Sequence, residues 1–432
     1  MNTYQGKLFD LPEIEGKREK DLTATFADNM KMPIHKWYRY TAGFSAAWVS
    51  ELINEEKKNG RTRIIDPFAG SGTVLVESEF ANVESYGVEA HPYIYRIAKA
   101  KLNWNYPADK FKEEALELLR IAKGKKITKT EFPKLIMSCY PLETIQKLEA
   151  LKQTWLDINK DEEIKNFNWF IITAILRTTS PVGTAQWQYI QPNKTKSKVI
   201  DPFVAFEAKV NDMYFDMKRT QNCFKNVVDS IILNEDARNI ESIPEGWGDL
   251  VITSPPYANN YDYADATRLE MTFWGDINGW ADLQDNVRKH LVRACTQHVS
   301  KLGDSIDSVL ENPRLDIIKS ELLEVYGTLK EERLKHGGKK NYHLMIAAYF
   351  NDLADVFHSL RRVTNENCKM CFVIGDSAPY GIYVPVDKWL GELAISAGFR
   401  DYTFEKLRDR NIKWKNRKHT VPLHEGRLWI NS

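Results

Sequence analysis

Five short apolar runs constrain the fold more than any other feature of this chain, because none of them alternates with polar residues. They are Arg63-Ile64-Ile65 leading into Asp66-Pro67-Phe68, Ser85-Tyr86-Gly87-Val88, Ile231-Ile232-Leu233, Asp249-Leu250-Val251-Ile252-Thr253 and Met370-Cys371-Phe372-Val373-Ile374. A strand that is apolar on both sides needs cover on both faces, so the runs predict a mostly parallel sheet inside an α/β layer structure. Each run ends in a small or acidic residue followed by loop chemistry. Helical periodicity is expected over 73–81, 142–158, 315–329, 348–362 and 387–397.

Two stretches break this rhythm, 101–230 and 259–339. Both are long, helix-biased and too large to be structureless loops. They divide the chain into an N-terminal extension (1–34), a first core part with cofactor motifs (35–100), a first helical insertion suited to target recognition (101–230), a second core part with a catalytic loop (231–258), a second helical insertion (259–339) and a third core part with a basic C-terminal segment (340–432). The chain has 432 residues and an odd five cysteines, which does not make a disulfide framework and fits a reducing cytoplasm. No apolar run approaches the roughly 20 residues of a membrane span. The first twenty residues are polar and lack the apolar region of a secretory signal.

The net charge is only +1, but the positive charge is clustered. Lys406, Arg408, Arg410, Lys413, Lys415, Arg417 and Lys418 stand against Asp409 alone, with Trp414 among them. A shorter cluster, Lys194, Lys196 and Lys198, follows Trp187 and Tyr189. Bases neutralise phosphates and rings offer stacking surfaces, so both clusters are candidate nucleic-acid contacts. A solvated surface is the bland alternative.

Three sites carry chemistry. Asp66-Pro67-Phe68-Ala69-Gly70-Ser71-Gly72-Thr73 follows a strand and opens a helix. Its Gly-x-Gly turn lets backbone approach a ligand, while the carboxylate at the strand end suits an ammonium or a ribose hydroxyl better than a phosphate. Glu89, at the tip of the next strand, is placed to accept from ribose hydroxyls. Asp236 is similarly placed to accept from an adenine amino group, or is simply a turn residue. Thr253-Ser254-Pro255-Pro256-Tyr257 follows a strand. Two prolines stiffen that loop and fix a hydroxyl, a carbonyl and a ring in one geometry.

Together, Asp66–Thr73 and Ser254–Tyr257 resemble motifs I and IV of the S-adenosylmethionine-dependent amino methyltransferases of DNA, which act at cytosine N4 or adenine N6. The Ser-Pro-Pro-Tyr form is the one typical of cytosine-N4 enzymes. The segment 35–45, with Tyr40 and Phe44, is similar to the family's motif X, and Met370 to Asp376 to its fifth strand. The resemblance implies a Rossmann-like methyltransferase sheet with two helical insertions. It implies Ser254, Pro255, Pro256 and Tyr257 as catalytic residues. It implies Tyr40, Phe44, Asp66, Phe68, Gly70, Gly72, Thr73, Glu89 and Asp236 as binding S-adenosylmethionine, with no metal. Double-stranded DNA is then the substrate, and a cognate restriction endonuclease is a candidate partner in restriction-modification. No membrane partner is expected, and the sequence leaves the oligomeric state and the recognition sequence open.

The readings weighed against cytosine N4 are adenine N6, methylation of RNA or of a protein amide, and a nucleotide-binding module without catalysis. Intact Ser254 and Tyr257 argue against the last. Cys368-x-x-Cys371 has the spacing of a zinc or redox half-site, but it lacks a second pair and reads as core packing. His290, His298, His336 and His343 form no spaced metal motif. Tyr257, Asn259, Asn260, Tyr261, Asp262 and Tyr263 make a polar aromatic run that either closes over a ligand or lies on the surface.

Overall fold

A computed structural model describes residues 26–158, 160–300, 302, 306–410 and 421–432. The strands are β1 (Arg63–Asp66), β2 (Glu84–Val88), β3 (Val182–Gly183), β4 (Gln191–Thr195), β5 (Ile231–Leu233), β6 (Gly248–Thr253), β7 (Thr364–Gly375), β8 (Asp401–Arg410) and β9 (Leu423–Asn431). Seven form one sheet in the order β5-β2-β1-β6-β7-β9-β8. The five expected runs supply its parallel part, from β5 to β7. The strands β9 and β8 close it as antiparallel neighbours of β7. The molecule is thus α/β with a mostly parallel sheet, as the apolar runs require.

Chain order reverses across this sheet. From β1 the chain moves outward through β2 to β5, then crosses back to place β6 on the other side of β1. Ligand crevices in open α/β sheets lie at such a switch point, outside the carboxyl ends of the strands. Here that means the tips of β1 and β6.

Helices cover both faces. Ala46–Lys58 packs Trp48, Val49, Leu52 and Ile53 against Ile64, Leu250, Ile252 and Cys371 on one face. Tyr342–Val363 and Val386–Ser396 pack against the other, around Val251, Met370, Phe372 and Ile374. The first insertion builds a helical core from Ala108–Gly124, Leu142–Asp157, Glu162–Thr179 and Pro202–Cys223. Residues 264–287 of the second insertion pack into that same core, whereas 292–329 pack with the sheet's helical cover. The helix expected over 315–329 runs instead from Lys319 to Glu332, after a short turn at Pro313–Leu315 that Asn312 caps. The helix expected from residue 348 begins earlier, at Tyr342.

Neither β8 nor β9 is foreshadowed by an apolar run. Residues 401–410 carry six charged side chains and none of the ten is buried, as suits an edge strand guarded against aggregation. The same strand begins the basic run read as a nucleic-acid surface. Its remainder, Lys413, Trp414, Lys415, Arg417 and Lys418, lies outside the described residues, as does most of the N-terminal extension. Among the described residues, no helix is long and apolar enough to cross a membrane.

Candidate active site

The tips of β1 and β6 are tied together directly. Thr253 Oγ1, at the end of β6, donates to Asp66 Oδ1 across 2.7 Å, and Phe68 N donates to the same oxygen at 3.0 Å. Asp66 Oδ2 has no partner among the described residues, and the residue lines the cleft that opens there. Burial pushes the Asp66 carboxyl up to about 7, against the pull of those two donors.

The turn after β1 is shaped by two glycines. Gly70 and Gly72 have φ values of 52° and 82°, the left-handed region that glycine reaches without strain. A Cβ on Gly70 would lie 2.9 Å from the Tyr40 ring, so the tyrosine of the motif-X segment seats directly on this glycine. Gly70 N donates to Glu89 Oε2 at 2.9 Å, and His91 N donates to Glu89 Oε1 at 2.8 Å. Glu89 therefore holds the glycine loop while each oxygen keeps a lone pair for a ligand. Burial raises its carboxyl to about 7. Beneath the loop, the buried Lys101 Nζ donates to Ser71 O at 2.8 Å.

The Ser254-Pro255-Pro256-Tyr257 loop extends from the tip of β6. Ser254 Oγ donates to Val373 O on β7 at 3.1 Å. Its single proton is thereby committed, and its lone pairs are left as acceptors. Tyr257 is packed under Arg410, whose guanidinium lies 5.3 Å from the ring centroid. Arg410 Nη1 also donates to Asp376 O at 2.8 Å. Gly375 makes this stack possible, because a Cβ there would lie 2.5 Å from Arg410 Nη1 and 3.2 Å from Tyr257 Cε2.

These groups line one cleft of about 470 Å³. It brings together Tyr40, Phe44, Asp66, Phe68, Gly70, Thr73, Glu89, Asp236 and Ser254–Tyr257. Gly72 does not line it and acts from behind, as the residue preceding the helix Thr73–Phe80. Asp236 lines the cleft, but its carboxylate already accepts from Arg238, with Nε at 2.9 Å and 3.0 Å from the two oxygens. An adenine contact there has to share those oxygens.

The cleft wall also includes His91 and His290, which the sequence does not mark as ligand contacts, and Trp187, Arg408 and Arg410, which it marks only as candidate nucleic-acid contacts. Trp187 comes from the link between β3 and β4 in the first insertion, and His290 from the second insertion. The two insertions are locked together above the cleft. Tyr189 stacks on Tyr261 at 5.0 Å between centroids, Tyr261 Oη donates to Trp187 O at 2.9 Å, and Asp262 N donates to Tyr189 Oη at 2.7 Å. Deeper down, Arg177 meets Glu270 in a buried two-pronged pair, with Nε–Oε1 at 2.6 Å and Nη2–Oε2 at 2.7 Å. The polar aromatic run after the Ser254–Tyr257 loop is thus a packed wall: Asn259, Tyr261 and Tyr263 line the cleft.

Other expectations resolve differently. Lys196 turns inward to the carbonyls of Arg177 and Thr184 and is not free for a phosphate, whereas Lys194 and Lys198 are exposed. Cys368 and Cys371 are buried on opposite faces of β7, in separate cores, so they cannot share an ion. Asp376, Asp387 and His424 converge, but both ring nitrogens of His424 already face a carboxylate, Nδ1 at 2.6 Å from Asp376 and Nε2 at 3.7 Å from Asp387. This trio anchors the start of β9.

A family model described as DNA methylase, of the N6/N4 type, matches residues 3–100. The Type II methyltransferase M.BsoBI of Geobacillus stearothermophilus is 26% identical over 424 residues, spanning 89% of this chain and 82% of the relative. The Type II methyltransferase M.AvaI of Nostoc sp. PCC 7120 is 27% identical over 404 residues, spanning 87% and 81%. The Type II methyltransferase M.MvaI of Kocuria varians is 22% identical over 401 residues, spanning 88% and 84%. No solved structure matches the chain.

Proposed function

Since the chain belongs to the amino DNA methyltransferases of the N6/N4 type, we propose that it methylates the exocyclic N4 of a cytosine flipped out of duplex DNA, using S-adenosylmethionine. The observation that supports transfer to an exocyclic amino group is the acceptor state of Ser254, and the preference for cytosine rests on serine at the first position of the Ser254-Pro255-Pro256-Tyr257 loop. Its hydroxyl proton is held by Val373 O, so the side chain offers only lone pairs to an incoming amino group.

The cleft suits the methyl donor. Its volume is within the range of small-molecule sites. Asp66 Oδ2 is free of partners among the described residues, Glu89 retains lone pairs, and the aromatic residues Tyr40, Trp187 and Tyr263 line the cleft beside them. When bound, S-adenosylmethionine supplies a methyl group activated by a positively charged sulfur. Glu89 would hold the ribose hydroxyls, and Asp66 a donor beside them.

The protein's part in the reaction is orientation. The amino nitrogen of cytosine shares its lone pair with the ring and is a poor nucleophile. Ser254 Oγ accepts one amino hydrogen and the Pro255 carbonyl accepts the other, which turns the lone pair toward the methyl group and favours a tetrahedral nitrogen. The target atom is unreachable in a duplex, so the base is extruded, and Tyr257 stacks on it for roughly 1–3 kcal/mol. The proton leaves the nitrogen late, to solvent. Duplex DNA is the substrate, and a restriction endonuclease of the same specificity is its expected companion.

Ser254→Ala tests this directly. Affinity for S-adenosylmethionine, measured by calorimetry, should survive, while turnover falls by about 10²–10³. DNA from cells expressing the wild type, digested to nucleosides and separated by mass, should contain N4-methylcytosine. Finding N6-methyladenine alone would overturn the substrate, and finding neither would overturn the transfer.

A further inference from the structure

The described bases of the run that ends β8 are all turned to partners within the fold. Lys406 Nζ pairs with Asp409 Oδ1 at 2.6 Å, and Arg408 Nη2 with Glu425 Oε1 at 2.8 Å. Arg410 instead places its guanidinium 5.3 Å from the centroid of the Tyr257 ring and donates from Nη1 to Asp376 O at 2.8 Å. It is half-buried and lines the cleft together with Tyr257. A residue that reads in the sequence as a phosphate contact thus faces the ring on which the base is to stack.

Three strand tips converge to make this contact. Tyr257 follows β6, Gly375 ends β7 and Arg410 ends β8. A Cβ on Gly375 would lie 2.5 Å from Arg410 Nη1 and 3.2 Å from Tyr257 Cε2, so only glycine there leaves room for both. The backbone around Tyr257 is fixed separately. Pro255 and Pro256 stiffen the loop, and Ser377 Oγ donates to Ala258 O. Those contacts do not set the plane of the ring, which turns about two side-chain bonds. Arg410 is the charged group packed against it.

A guanidinium is attracted to an aromatic ring, and more strongly where water is excluded. The Asp376 carbonyl tethers the guanidinium in turn, so the ring is held against a charge that is itself fixed. Stacking an extruded base needs such a platform. The ring must lie parallel to the base while the amino group meets Ser254 Oγ and the Pro255 carbonyl, and a small misplacement at that moment is costly in rate.

Resting on the reading that the extruded base stacks on Tyr257, we propose that Arg410 is a positioning residue for methyl transfer: it sets the plane of the Tyr257 ring and does not neutralise a DNA phosphate. Gly375 is the third member of the device, because it leaves the space in which guanidinium and ring meet.

Methyl transfer from labelled S-adenosylmethionine to DNA from cells that lack the enzyme separates the two roles. Arg410→Met should lower kcat by about tenfold, the worth of a desolvated cation–π contact, with KM for DNA kept within about twofold. Arg410→Lys, which keeps a cation at the ring, should regain most of the rate, and Gly375→Ala should reproduce the loss. In a Tyr257→Ala background, Arg410→Met should cost less than about a further twofold, because the ring it acts through is gone. Melting curves report that the variants fold. A raised KM, an unchanged kcat and a salt slope of DNA binding smaller by about 0.9 would make Arg410 a phosphate contact and overturn the inference. So would an equal loss of rate in the Tyr257→Ala background. The ring signal of Tyr257 in tyrosine-labelled protein without DNA, assigned with Tyr257→Phe, should shift in Arg410→Met and in Gly375→Ala. Absence of that shift overturns the stack whether or not the wild type transfers methyl groups, whereas a wild type that transfers none overturns the proposed reaction.

Discussion

Asp66→Asn should raise the stability of the ligand-free protein at alkaline pH while loosening its hold on S-adenosylmethionine. Both donors that reach Asp66 use Oδ1, which asparagine retains, so the substitution removes charge without removing Thr253 Oγ1 or Phe68 N from their partner. Burial raises this carboxyl from 3.8 to about 7. A raised pKa means the folded state keeps a proton that the unfolded chain gives up. Wild-type stability is therefore intact below about pH 4 and declines from there to about pH 7, by up to about 1.4 kcal/mol per pH unit. Asparagine has no such decline. The variant's advantage should be about 4 kcal/mol above pH 7, and should grow by about 2–3 kcal/mol between pH 5 and pH 8. Melting both proteins side by side at the two pH values checks this. A constant difference would mean that Asp66 ionises normally in the fold and that its burial is not felt. At pH 8 the variant should also bind S-adenosylmethionine roughly ten- to hundredfold more weakly, the worth of a charge-assisted hydrogen bond.

Two further outcomes follow from the insertions and the basic run. Glu270→Ala leaves Arg177 buried without its carboxylate and should destabilise the protein by about 3–5 kcal/mol, whereas Arg177→Met combined with Glu270→Leu should recover most of that stability in a melting experiment. Charge reversal of Lys413, Lys415, Arg417 and Lys418 should flatten the salt dependence of DNA binding, by about 0.9 in slope for each phosphate that is no longer neutralised. An unchanged slope would make that run a solvated face.

The parallel half of the sheet is legible in the sequence because burial on both faces writes itself as unbroken apolar runs, and 64–65, 231–233 and 250–252 are such runs. The edge pair β8–β9 is not, because an exposed edge carries charge, and charge reads as surface or as nucleic-acid contact. Asp66, Glu89 and Ser254 can be found because each stands where a strand ends and a stiff or glycine-rich turn begins. His91 cannot, because its place in the cleft wall comes from packing between segments far apart in the chain: its Nε2 meets Thr267 Oγ1, 176 residues on. Asp236 shows the converse: its position is readable, but Arg238, two residues on, already occupies its oxygens.

The hydrogen bond between Thr253 and Asp66 joins residues 187 apart in sequence. During synthesis, at about 5–20 residues per second, β1 emerges some ten to forty seconds before the strand that completes its inner side. For that interval Ile64 and Ile65 have β2 on one edge and an open edge on the other, and the whole first insertion must be threaded out and folded before the edge closes. A cell making this protein therefore passes through a state in which the glycine loop after β1 exists and the Ser254–Tyr257 loop does not. Translation rate and chaperone supply, more than the final stability, would set how much active enzyme accumulates.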